Sequence, residues 1–182
     1  MRYRDESPPT PEEYWKTLHG VLTQRGCKLP VTIEPGRVLV CNAGILLTRV
    51  NYLKKGDGID NETTNFCIVD AGMNDLIRPA LYQAHQEIVE VKRDCGLTRE
   101  RYDVVGPICE SADFLGKQRE LAVDENSLLA IRTSGAYGAV MMSNYNSRPR
   151  LAEVMVDGEQ YKIVRRRDTI ESLYEGECTL DS

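Results

Sequence analysis

The sequence predicts a mainly β protein: an antiparallel β-barrel or sandwich domain preceded by one helix–strand unit. Three observations predict it. A single amphipathic stretch with good caps lies near the N-terminus. From Val38 onward the apolar residues fall instead into short runs of strand length. Glycine and aspartate punctuate those runs, as turns between many short strands require.

The helix is the best-specified element. Thr10-Pro11-Glu12-Glu13 places a capping hydroxyl, a first-turn proline and a capping-box glutamate in their preferred positions. Tyr14, Leu18, Val21 and Leu22 follow at helical spacing and form one apolar face, with Trp15 beside it. Gly26 is placed to stop the helix. A β-like run over Leu29–Ile33 then enters the corner Glu34-Pro35-Gly36-Arg37, and Val38–Val40 leaves it. Helix, short loop and strand in this order look like the last step of a larger α/β fold, and one such unit cannot bury its own faces.

Strands are expected at Ile45–Leu53, Phe66–Val69, Glu87–Val91, Tyr102–Val105, Ser127–Ile131, Gly138–Met142, Leu151–Val156 and Tyr161–Arg165. A charged turn is expected over Lys54–Glu62, and a short helical turn over Asn74–Tyr82. Asp157-Gly158 is a strong hairpin signal. The tail from Cys178 to Ser182 is expected to fray.

Composition excludes several classes. A net charge of −5 and a pI near 5.2 argue against nucleic acid or an anionic membrane as the main partner. No apolar run approaches the ~20 residues that span a bilayer. Met1–Glu6 has no apolar region behind its basic residues, so it does not read as a signal peptide. The six cysteines include no C-x-x-C pair, which suits neither a zinc site nor a disulfide scaffold. They read as reduced residues of a cytoplasmic protein.

Four stretches join the Glu-Pro-Gly-Arg corner as candidates for chemistry. They are Asp70–Tyr82 (DAGMNDLIRPALY), Gly106–Asp113 (GPICESAD), Gly135–Gly138 (GAYG) and Ser143–Arg150 (SNYNSRPR). On their own, these residues also allow plain readings. The corner could be a turn with a surface ion pair, Arg78 a solvated helix-end charge, Cys109 a core residue and Tyr137 a structural tyrosine. His19 and His85 read as structural, and Asn144-Tyr145-Asn146 as turn and interface chemistry.

In this order and at these spacings, the motifs resemble the C-terminal half of the diaminopimelate decarboxylase family, pyridoxal-phosphate enzymes that make lysine. The resemblance runs from about Tyr14 to about Tyr174. It implies that residues 1–37 are the last helix and strand of a (β/α)8 barrel and that 38–182 form the C-terminal β domain. It implies pyridoxal 5'-phosphate as cofactor, bound by Glu34, Gly36, Arg37 and Tyr137, with Glu34 facing the pyridine nitrogen and Gly36 and Tyr137 near the phosphate. Arg37, Arg78 and Tyr82 would hold the distal carboxylate of an amino-acid substrate, and Glu110 its distal ammonium. Tyr137 would lie close to that substrate, and Cys109 would protonate the carbon after CO2 leaves. An unperturbed thiol pKa near 8.5 makes that proton transfer chemically reasonable. The Cys109 loop would complete a partner's site, so a homodimer or association with full-length enzyme is implied.

The family's cofactor lysine lies on an early barrel strand. Here only 33 residues precede Glu34, and their lysines are Lys16 and Lys28, neither with the family's surroundings. No two glycines are adjacent, so the Gly-rich phosphate loop is also missing. About 200 residues of barrel would lie outside this sequence. The chain alone is therefore expected to be inactive. A truncated or split gene, an expressed fragment and an incomplete gene sequence all fit. A related decarboxylase acting on arginine, ornithine or carboxynorspermidine, a non-catalytic dimerisation or regulatory module, and a truncated relic are the alternatives.

Overall fold

The computed structural model describes residues 6–56, 64–92 and 96–180. Most of the expected 54–62 turn, Cys95 and the ends of the chain (Met1–Asp5 and Asp181–Ser182) lie outside these residues.

Helix α1 spans Pro11–Gln24 and is capped at both ends. The Thr10 hydroxyl accepts from the Glu13 amide at 3.2 Å, and the Glu13 carboxylate accepts from the Thr10 amide at 2.7 Å. At the other end Cys27 N–H reaches the Leu22 carbonyl and Gly26 N–H that of Thr23, the paired bonds of a left-handed glycine cap. No residue of α1 is buried. The apolar face predicted for it therefore stays uncovered by the described chain.

The corner segment departs from expectation. Val31–Ile33 is unpaired rather than a strand, and Arg37–Val40 forms a turn leading into a 3-10 turn at Cys41–Ala43. Valines and isoleucines favour strands only where a neighbouring strand takes up the backbone N–H and C=O groups. Among the described residues these have no such neighbour.

Six strands make the main sheet: β1 (Leu46–Lys54), β2 (Asn65–Val69), β3 (Ile88–Glu90), β4 (Glu100–Val105), β5 (Phe114–Leu121) and β6 (Leu128–Ile131). Their order is β3-β6-β1-β2-β4-β5. Four of the pairings are antiparallel; β2 and β4 run parallel, joined by a connection that holds α2 (Arg78–Tyr82) and β3. The sheet curls until its edge strands meet. A carboxylate oxygen of Glu90, the last residue of β3, accepts the Ala122 amide just past β5 at 2.6 Å, which nearly closes a barrel.

Val50, Val69, Val104, Leu115, Leu121, Leu129 and Ile131 fill the interior and are fully buried. Burial pushes the Cys67 thiol up to about 12, so it packs there as a small neutral hydrophobe.

Strand β5 was not expected. Its Lys117-Gln118-Arg119-Glu120 stretch hides the alternation, because the strand is irregular there. Gln118 takes a φ of 54°, and its amide donates to the Asp103 carboxylate at 2.7 Å. The strand expected at Gly138–Met142 is instead a 3-10 turn, Ala139–Met141. The helical turn expected over Asn74–Tyr82 divides into a tight turn at Gly72–Leu76 and then α2. Strands β7 (Glu153–Asp157) and β8 (Gln160–Arg165) form the hairpin that Asp157-Gly158 announced, with Gly158 at a φ of 58°. They pair only with each other, and most of their residues are exposed.

Candidate active site

The motif stretches converge at one end of the barrel on a layer of charged and polar groups. At the end of β2, the Asp70 carboxylate accepts from the Thr48 hydroxyl at 2.6 Å and the Arg49 amide at 2.8 Å. The Thr48 hydroxyl in turn accepts from the Ala71 amide. Asp75, fully out of water, accepts from the Gly72 amide at 2.9 Å and from Asn74 Nδ2 at 3.0 Å. Asp113 spans two loops, accepting the Met73 amide and the Ile108 amide, each at 2.6 Å. Arg148 donates to the Asp70 carbonyl at 2.7 Å and lies 3.7 Å from the Asp75 carboxylate.

Burial pushes the Asp75 and Asp113 carboxyls above the usual range, against the pull of their amide donors and of Arg148. Buried acids persist only when such donors satisfy them. The loops close tightly over this layer: a Cβ on Gly106 would fall 2.5 Å from an Asp113 oxygen and 2.6 Å from the Gly72 Cα.

Above it sits a group the sequence had placed in separate motifs. Arg78 opens α2, and its guanidinium carbon lies 5.2 Å from the Tyr82 ring centroid and 5.4 Å from that of Tyr137. The two rings hold the cation by their faces. Arg78 Nε is buried and has no hydrogen-bond partner among the described residues. Tyr137 is held at a φ of 58°, a conformation a bulky residue seldom adopts. Its turn is fixed by backbone contact. Gly135 N–H donates to the Cys41 carbonyl at 3.0 Å, Ser134 N–H to the Gly44 carbonyl at 2.9 Å, and a Cβ on Gly135 would fall 2.1 Å from the Val40 carbonyl oxygen.

Cys109 and Glu110 are exposed at the tip of the loop that Asp113 secures. Glu34, Gly36 and Arg37 occupy the exposed segment outside the barrel core. A methyl group on Gly36 would meet nothing within 4 Å, so no packing inside this chain demands a glycine there. The structure thus gathers Arg78, Tyr82 and Tyr137, and sets Cys109 and Glu110 on the same scaffold. It leaves the corner residues on an exposed segment outside any strand.

Asp75, Asp113 and Arg148 were not singled out from sequence, although all three lie inside the quoted motifs. Asn144–Asn146 does form a turn: Asn146 has a φ of 59°, and Asn144 donates to the Arg148 carbonyl and the Asp168 carboxylate. His19 packs against Trp15, and Arg119 lies 2.7 Å from His85 Nδ1, so both histidines have structural contacts.

A guanidinium whose faces are covered by two aromatic rings keeps its N–H edge for a planar acceptor, the geometry in which arginine binds carboxylates. The fit to pyridoxal phosphate is incomplete, because none of the residues gathered here is a lysine able to anchor it. Among the described residues no cluster of metal-ligating side chains occurs, and no helix is long and apolar enough to cross a membrane.

Fold and site together define a nearly closed sheet domain with an arginine and two tyrosines gathered at one end. Residues 18–135 match the family described as pyridoxal-dependent decarboxylase, C-terminal sheet domain, and the chain belongs to that family. It is 54% identical over 180 residues to a diaminopimelate decarboxylase of Pseudomonas aeruginosa, covering 99% of this chain and 41% of that protein. For the Haemophilus influenzae enzyme of the same name the identity is 51%, over 99% of this chain and 42% of that protein. The chain thus spans about two-fifths of the length of these relatives. The crystal structure of the Helicobacter pylori diaminopimelate decarboxylase complexed with L-lysine matches with a TM-score of 0.83 at 36% identity, over 95% of this chain and 41% of that one. The crystal structure of the M. jannaschii diaminopimelate decarboxylase in co-complex with L-lysine gives 0.87 at 33% identity, over 98% of this chain and 41% of that one.

Proposed function

We propose that this chain is the C-terminal portion of a meso-diaminopimelate decarboxylase, which removes CO2 from meso-2,6-diaminopimelate to give L-lysine. The observation that carries this reading is Arg78, held between Tyr82 and Tyr137 with an unmet N–H, on the scaffold that also bears Cys109 and Glu110. A substrate with two amino-acid ends has a distal carboxylate for that arginine. Ornithine has none. The L-lysine held by the H. pylori and M. jannaschii relatives, and the diaminopimelate decarboxylases of P. aeruginosa and H. influenzae, agree with it.

Pyridoxal phosphate, when bound, would supply the sink for the electrons left by C–C cleavage. In this reading Glu34 faces its ring nitrogen, and Gly36 and Tyr137 lie at its phosphate. Arg37, Arg78 and Tyr82 bind the distal carboxylate, Glu110 the distal ammonium, and Cys109 delivers a proton to the substrate carbon. The carboxylate that leaves must stay clear of these cations, since pairing it would stabilise the ground state. Residues 1–37 belong to the cofactor barrel and 38–182 to the β domain. The working form is a cytoplasmic homodimer or an association with full-length enzyme, supported by the apolar residues left exposed on α1, the corner and the hairpin.

The test joins this chain to the N-terminal portion of the Pseudomonas aeruginosa relative. The chimera should decarboxylate meso-diaminopimelate and ignore L-ornithine, whereas the 182-residue chain alone should do neither. Preference for ornithine, or a folded chimera without turnover, would overturn the reading.

A further inference from the structure

The proposed chemistry uses groups on two different loops. Arg78 follows the Gly72–Leu76 turn, and Cys109 and Glu110 sit on the Gly106–Asp113 loop. One side chain joins them. Asp113 Oδ1 accepts the Met73 amide and Asp113 Oδ2 the Ile108 amide, both at 2.6 Å, so each carboxylate oxygen holds one loop. The Asp113 amide also donates to the Glu110 carbonyl at 3.0 Å, closing the loop on itself. The residue is 5% exposed, and the would-be Cβ atoms of both Gly72 and Gly106 point at its oxygens. No other side-chain hydrogen bond among the described residues links these two loops.

We infer that Asp113 is a positioning residue: its carboxylate fixes the Cys109–Glu110 loop at a set distance from the turn leading to Arg78. This rests on the functional reading above for its catalytic consequence, but not for its geometry. Two acceptors are needed, one for each amide. Asparagine at 113 keeps one acceptor and turns a donor toward the other amide, so one loop loses its partner and meets a repulsion. Glutamate keeps both oxygens but is longer by a methylene, in a space where a glycine Cβ already would not fit.

Two measurements on the 182-residue chain and one on the chimera test this. In the unmodified chain, the amides of Met73 and Ile108 should exchange with deuterium at the same slow rate, since one carboxylate protects both. An Ile108 amide exchanging as freely as that of Ser111 would overturn the inference, and this readout needs no variant to fold. In Asp113→Asn, N-ethylmaleimide should label Cys109 at a rate changed at least five-fold, with exposed Cys27 and Cys178 as unchanged internal references. An unchanged Cys109 rate in a folded variant would also overturn it. In the chimera, Asp113→Asn should lower kcat at least ten-fold and raise KM as well, because the thiol and Glu110 move together with the loop. A rise in KM with kcat intact would place Asp113 in substrate binding instead and end the proposal. If the unmodified chimera does not turn over, the functional reading fails. Exchange and labelling still decide the latch.

Discussion

The barrel and the corner segment carry the same sequence signal, and only one of them becomes sheet. Val50, Val69 and Val104 sit in paired strands and are fully buried. Val31, Ile33, Val38 and Val40 have the same side chains in equally short runs, yet each is more than 40% exposed and unpaired. The difference is supply of neighbours. The barrel contains both partners of each ladder, whereas the corner would need strands that the described residues do not provide. A β-run states an appetite for pairing, and the rest of the chain decides whether it is met.

The largest test of that contrast is truncation in each region. Leu129→Ala in the barrel should cost about 2–5 kcal/mol in urea unfolding of the chain. Val31→Ala should fall within about 0.5 kcal/mol. A comparable loss at Val31 would mean the corner is packed in solution, and the comparison would collapse.

Next comes the barrel's working end. In the chimera Arg78→Ala should lower kcat/KM for meso-diaminopimelate by about 30- to 150-fold, the worth of roughly 2–3 kcal/mol of charge-assisted hydrogen bonding. The chain's urea midpoint should hardly move, since the arginine lies at the rim. A shifted midpoint with unchanged kcat/KM would make Arg78 structural.

Acid sharpens the contrast between buried and exposed carboxyls. Arg150 holds Asp168 down at about 2, with help from Asn144. Its contribution is present above the ordinary 3.8 and disappears as pH falls through about 2. Asp75 and Asp113 have folded values raised by burial, so their contribution is fullest below 3.8 and is lost as pH rises through those values. Asp168→Asn should therefore destabilise the chain at pH 6 and by much less near pH 2, where about half of the Asp168 carboxyls are protonated, in denaturation curves at the two pH values. A difference as large at pH 2 as at pH 6 would show that Asp168 acts through packing, not charge.

The smallest effect belongs to α1. Thr10→Ala removes the capping box and should cost that helix about 1 kcal/mol. Because α1 buries nothing, amide exchange over 11–16 should quicken while the barrel's unfolding stays put. Coupled changes would reveal docking of α1 on the barrel.

Much of the fold was legible because local chemistry wrote it. Thr10–Glu13, Gly26 and Asp157-Gly158 each satisfy or redirect backbone groups within a few residues, and all three elements formed as read. Strand β5 was illegible because Gln118 and the exposed Lys117 and Glu120 break its alternation, and its pairing with β4 is non-local. Gly138–Met142 looked strand-like by composition, but the contact of the preceding turn with Val40–Gly44 forces a tighter path. The meeting of Arg78, Tyr82 and Tyr137 was legible only through the order of family motifs, since nothing in their spacing says that residue 137 lies beside residue 78. Asp75 and Asp113 were passed over for a simpler reason. An aspartate that will be buried is spelled like any other.

The contact between Gly44 and Gly135 has a last consequence. A Cβ on Gly44 would come 2.4 Å from the Gly135 Cα, and one on Gly135 2.1 Å from the Val40 carbonyl oxygen. The spacing between the corner segment and the tyrosine turn is thus set by missing atoms. Over evolutionary time such a pair behaves as a gauge block: neither glycine does chemistry, yet either one, once replaced, resets the tolerance of the whole site. Gly36, whose would-be Cβ meets nothing within 4 Å, bears no such constraint from the described residues.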